Sequence, residues 1–326
     1  MAEKARPKSQ STQTESAMSP FFSQLLDPAN LEYLWPALLI VVFLGLVWTK
    51  SRRTWMLVDA LAMVACGLAL LFVPEKVFGL MLTNPVKMDL FLTALCRIVA
   101  AVVFGSGIVW ICLRKSTDNY TQNMLLGTRV VGTCAMLVAT HVLQSEEQLI
   151  SDKFSRLAML DCSLWMLGSA YFFMSAKNYG GHSQLDSWLN LHLRLDFLLT
   201  LMFGLVWFAF PEFVMKMHST GVKPAAVHTL MGQIVGAMMI GSAILSAVAP
   251  GFMFHEDKRN VLLCKILTLL LIVVMALSSL DHSNIGRGVM LSHLMGVVWV
   301  INAAMGYFAP HETDGYLSAR KNAKTE

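Results

Sequence analysis

Four residues inside long apolar runs could do chemistry, and they come as two matched sets. Asp59 and Arg129 lie 70 residues apart, and Asp196 and Lys265 lie 69 apart. Each set is an acid early in one apolar run and a base early in a later one. A second group of polar residues sits toward the opposite ends of such runs: Arg97 and Asp161 first, then Gln233 and, near the place of Asp161, His293. Ionisable groups within an apolar span are costly and turn toward a partner or a water-filled cavity. Two roles follow. The charges clip helices together, or they line a cavity between them for a solute, a proton or a lipid headgroup. Arg97 has the neutral Gln233 as its counterpart, which favours a role beyond clipping. The spacing also predicts an Arg97–Asp161 ion pair.

Other chemistry finds little support in the sequence. There is no HExxH, GxSxG, phosphate-binding loop or dinucleotide fingerprint. No two of the nine histidines are spaced i,i+4, so no metal site is expected. Gly105-Ser106-Gly107 lacks a base nearby in sequence and reads as packing. The six cysteines all fall within apolar runs, which implies neither a disulfide framework nor a CxxC site. No catalytic residue and no cofactor is expected, and the sequence leans away from an enzyme.

The elements that must position these groups are themselves repeated. Asp59, Gly67-Leu68, Pro74-Glu75, Val77 and Thr83 return 137 residues later as Asp196, Gly204-Leu205, Pro211-Glu212, Val214 and Thr220. One residue is then lost. At a shift of 136, Thr93, Ile98-Val99, Ala101, Gly105-Ser106 and Ile108 meet Thr229, Ile234-Val235, Ala237, Gly241-Ser242 and Ile244. An ordered set of this length marks an internal duplication.

Composition sets the environment. Of 326 residues 56% are hydrophobic and 14% charged, against roughly 25% charged in soluble domains. The net charge of +4 is too small, and too dispersed, to argue for nucleic acid. The expected fold is an all-α polytopic membrane protein: one N-terminal helix plus two tandem parallel four-helix repeats, nine transmembrane helices in all. The expected parts are a disordered tail (1–30), an anchor (31–49), repeat 1 (54–175), a linker (176–187), repeat 2 (188–310) and a polar C-terminal tail (311–326). The spans fall at about 31–48, 55–74, 89–113, 122–144, 157–175, 191–211, 225–249, 260–280 and 288–309, each near the 20 apolar residues a bilayer asks for. Pro74-Glu75 and Pro211-Glu212 each start a short interfacial helix. Loops on the side of Lys50–Arg53 hold twelve Lys and Arg against seven opposite. The positive-inside rule then puts the N-terminus outside or lumenal and the C-terminus in the cytoplasm.

The second helix of each unit carries a stripe, Thr93, Arg97, Ala101 and Gly105, then Thr229, Gln233, Ala237 and Gly241, and Gly232 and Gly236 add a GxxxG. Small residues let membrane helices approach closely. Gly67, Pro74-Glu75 and this stripe resemble the pattern of DoxX-like and p53-inducible protein 11-like four-helix membrane proteins, here doubled. The resemblance implies a four-helix unit and no catalytic residue. Functionally, the sequence points first to a non-enzymatic membrane component, an accessory or assembly subunit. The alternative is a small-solute or lipid transporter or binder with its site between the repeats. The expected partners are the lipid bilayer and a further membrane protein.

Overall fold

The computed structural model describes residues 28–83, 88–147, 149–176, 187–218, 224–278 and 287–310. The expected tails and most of the expected linker lie outside these residues. Regular structure among the described residues is helical, apart from one antiparallel bridge between Leu82 and Ile150. The helices are α1 (Pro28–Trp48), α2 (Arg52–Phe72), α3 (Pro74–Met81), α4 (Leu90–Leu113), α5 (Asn119–Glu147), α6 (Asp152–Met174), α7 (Ser187–Ala209), α8 (Pro211–His218), α9 (Ala226–Val248), α10 (His255–Ser278) and α11 (Arg287–Tyr307). Six of them are long and apolar enough to cross a membrane: α2, α4, α5, α6, α7 and α9. Along α7, Leu198, Met202, Leu205 and Val206 all remain exposed, an apolar face suited to lipid rather than water.

Local chemistry fixes the ends. Ser51 caps α2, its hydroxyl accepting from Thr54 N at 3.3 Å. Asp89 caps α4 through Leu92 N at 2.6 Å, and Ser151 caps α6 through Phe154 N at 3.4 Å. Pro74 and Pro211 each open an eight-residue helix, with Glu75 and Glu212 in the first turn where the dipole favours an acid. Asp118 does more than cap α5. Its carboxylate accepts from Tyr120 N at 2.9 Å, Thr121 Oγ1 at 2.9 Å and, from the loop before α10, Met253 N at 3.1 Å. Asp257 accepts from Ser116 Oγ at 2.5 Å in the same cluster. Burial pushes the Asp257 carboxyl above its ordinary range, with the Ser116 hydrogen bond opposing. Lys258, expected among the loop charges, is instead fully buried, because α10 starts at His255 and carries Lys258 into its first turn.

Packing follows the glycines. α4 lies along α2, and α9 along α7. A Cβ on Gly67 would sit 2.8 Å from Phe104 N, and one on Gly204 would sit 3.0 Å from Ile240 N. The two halves of the chain then cross. α9 packs on α5, where a Cβ on Gly241 would meet the Gly132 Cα at 3.0 Å. α4 packs on α10, where Gly105 faces Thr268. The stripe of small residues therefore reaches the other half of the chain. α1 packs mainly on α6, and Phe43 meets Trp55 edge-on at 6.0 Å.

The crossing makes a testable neighbour of two thiols. Cys112 on α4 and Cys264 on α10 lie within hydrogen-bond reach, although both are free. A mild thiol oxidant is expected to join them. A chain cut at a protease site inserted within 177–186 should then run on a denaturing gel as one species until reduced, and Cys264→Ala should abolish the link. Two separate halves under oxidising conditions would contradict the crossed packing.

Candidate functional site

Asp59 on α2 is fully buried, and Arg129 on α5 holds it with two bonds: Nε donates to Oδ2 at 3.0 Å and Nη2 to Oδ1 at 2.8 Å. A forked guanidinium is the strong way to satisfy a carboxylate away from water. In the second half, Asp196 on α7 is equally buried but is held differently. Ser246 Oγ donates to Oδ2 at 2.5 Å and Trp299 Nε1 to Oδ1 at 2.6 Å, while Lys265 Nζ stands 3.6 Å away. Lys265 donates instead to Ser242 Oγ at 2.8 Å and Thr200 Oγ1 at 3.2 Å, and lies 5.5 Å from the Trp299 ring centroid.

Two adjoining cavities open beside these sets. One, of about 80 Å³, is lined by Met63, Ser106, Thr128, Arg129, Thr133 and Ser242 among others. The second, of about 40 Å³, is lined by Ser106, Thr200, Ser242, Lys265, Thr268 and Trp299 among others. Their linings correspond position by position: Met63 to Thr200, Ser106 to Ser242, Arg129 to Lys265, and Gly132 in the first to Thr268 in the second. Ser106 and Ser242 belong to both. Neither lining includes Asp59 or Asp196, which stand behind their bases. The Arg129 side chain keeps 20% of its surface exposed while Asp59 keeps none, so the guanidinium is the face the first cavity meets.

The second group of expected residues does not assemble. No ion pair joins Arg97 to Asp161 among the described residues. Asp161 accepts from Trp165 Nε1, one turn along its own helix, at 2.9 Å. Trp165 also stacks on Trp55 at 4.8 Å, and Trp55 Nε1 donates to Ser169 Oγ at 3.2 Å. These contacts turn α6 toward α1 and α2, whereas Arg97 sits on α4 in the stripe that crosses to α10. Gln233 Oε1 is buried without a hydrogen bond, and His293 lies near His218 at the α8–α11 contact. Burial holds the His218 imidazole below its ordinary pKa, with the Val214 carbonyl opposing and His293 adding to the depression. Reading spacing alone missed Ser106, Ser242 and Thr133 as site residues. Ser106 and Ser242 carried a signal, since the serine recurs in both units beside the conspicuous glycine.

These features define a class, an all-helical protein with six helices able to cross a membrane and a polar cavity at the contact of its two halves. More specifically, a family model described as a domain of unknown function (DUF8292) matches residues 57–308, and the chain belongs to that family. The match runs from within α2 to just past α11 and leaves α1 outside. No curated protein and no solved structure matches the chain.

Proposed function

We propose that this protein is a nine-span integral membrane protein that holds, and carries across the bilayer, a small polar solute between two tandem four-helix units. α1 is the added first span, and α10 and α11 are spans along with the six apolar helices. The N-terminus is outside or lumenal and the C-terminus cytoplasmic, in keeping with the excess of basic loops on one side. The observation that carries the solute reading is the doubled cavity: two linings that match residue for residue, sharing Ser106 and Ser242. Thr133 supports it. Its side chain lines the first cavity, is 3% exposed, and its Oγ1 is buried without a hydrogen bond. A buried hydroxyl without a partner is unusual and calls for a water or a ligand.

A carrier must expose its site to water during its cycle. The test is Thr133→Cys in an otherwise cysteine-free full-length chain, reconstituted in vesicles. A charged methanethiosulfonate reagent is expected to modify it within minutes. Complete protection would overturn the carrier reading and favour a non-enzymatic accessory or assembly subunit, in which the buried pairs only fasten helices. Orientation has its own check. Protease protection of tags at the two ends should place them on opposite sides, and tags on one side would contradict an odd number of spans.

A further inference from the structure

Resting on the cavity reading above, we propose that the solute is a small monovalent inorganic anion of about one to four heavy atoms, held between Arg129 and Lys265. The first observation is charge. Each cavity is faced by one cation and neither by a carboxylate, because Asp59 and Asp196 are sealed behind their partners. Asp59 takes both of its bonds from Arg129, and Asp196 is already satisfied by Ser246 and Trp299, leaving Lys265 at 3.6 Å. The cavity thus meets donors first: a guanidinium edge, an ammonium and hydroxyls. A cation would be repelled there, whereas an anion finds the charged donor rings that anion pathways use. The second observation is size. Volumes of about 80 and 40 Å³ suit a few waters or a compact ion, well below the roughly 300–1,000 Å³ of pockets for drug-sized organic ligands. The third is the hydroxyl of Thr133, whose proton has no acceptor in the protein and can be given to an anion.

The full-length protein is purified in mild detergent with gluconate as the sole anion. Chloride or nitrate then replaces gluconate at constant ionic strength while the thermal unfolding midpoint is followed. A bound anion raises the midpoint along a saturating curve. Thr133→Val keeps the shape but removes the donor, and should raise the half-saturating concentration about tenfold, since a hydrogen bond to a charged group is worth at least that factor. Thr133→Ser keeps the hydroxyl and should behave as the natural protein. A response that is absent, unsaturated or identical in Thr133→Val overturns the proposal, as does one that follows exchange of sodium for potassium. The Thr133→Cys labelling separates the two failures. Labelling without an anion response leaves the cavity a site for a neutral solute, whereas protection with no anion response removes the cavity reading as well.

Discussion

Arg129→Gln should destabilise the folded protein by about 3–5 kcal/mol, the cost of leaving one member of a buried ion pair uncompensated. Asp59 has no exposed surface and both its oxygens depend on Arg129, so glutamine removes the charge and at least one of the two bonds. Arg129→Gln combined with Asp59→Asn should recover most of the loss, because two neutral amides can hydrogen-bond without a buried charge. The equivalent change in the second half, Lys265→Gln, should cost less, about 1–3 kcal/mol. There the carboxylate of Asp196 keeps Ser246 and Trp299 as donors when the ammonium is gone. The order of the two effects is the discriminating result, read as unfolding midpoints of the full-length variants in detergent. Equal losses at the two sites would mean that the Ser246 and Trp299 bonds do not share the charge of Asp196.

The acid–base sets were legible in the sequence because duplication preserved their separation, and an ionisable residue in an apolar run has few places to go. The Pro-Glu helices were legible for a local reason, since proline without an N–H suits the first helical turn and little else nearby. Lateral arrangement was not legible. Hydropathy marks where a helix is apolar, yet lipid and protein neighbours look alike to it. The stripe through Gly105 and Gly241 therefore showed a close contact without showing that its partner lies in the other half. The Arg97–Asp161 expectation failed for the same reason. Depth along two helices was matched, but the Trp55–Trp165–Ser169 contacts rotate α6 toward α2. The different holders of the two aspartates were hidden as well. Trp110 stands in copy one where Ser246 stands in copy two, so the donor set diverged while the acids stayed.

Gly236→Ala should be among the most damaging single-methyl changes in the protein, while the same change at Gly105 should be reparable. Both glycines sit on the second helix of their unit, at the close approaches that small residues permit in membrane bundles. At Gly236 the added Cβ would lie 2.5 Å from Phe208 N and 2.7 Å from Gly204 O. Those are backbone atoms of α7, so no rotamer relieves the clash and the two helices must separate along their whole contact. Overpacking of this kind costs about 1–3 kcal/mol and sometimes more, and the value here should lie at the upper end because the obstacle is main chain. At Gly105 the nearest atoms all belong to the Thr268 side chain, within 3.0 Å. Removing that side chain makes room, and the first half already shows the outcome: Gly132 occupies the place equivalent to Thr268 and faces Gly241. Gly105→Ala with Thr268→Gly should thus regain most of the stability that Gly105→Ala loses, less the roughly 1 kcal/mol that glycine costs within a helix. Unfolding midpoints of the three variants test this. If Thr268→Gly fails to rescue Gly105→Ala, then α4 and α10 do not meet at this pair and the crossed packing of the halves is wrong. If Gly236→Ala unfolds at the midpoint of the natural protein, α7 and α9 are further apart than their glycines imply.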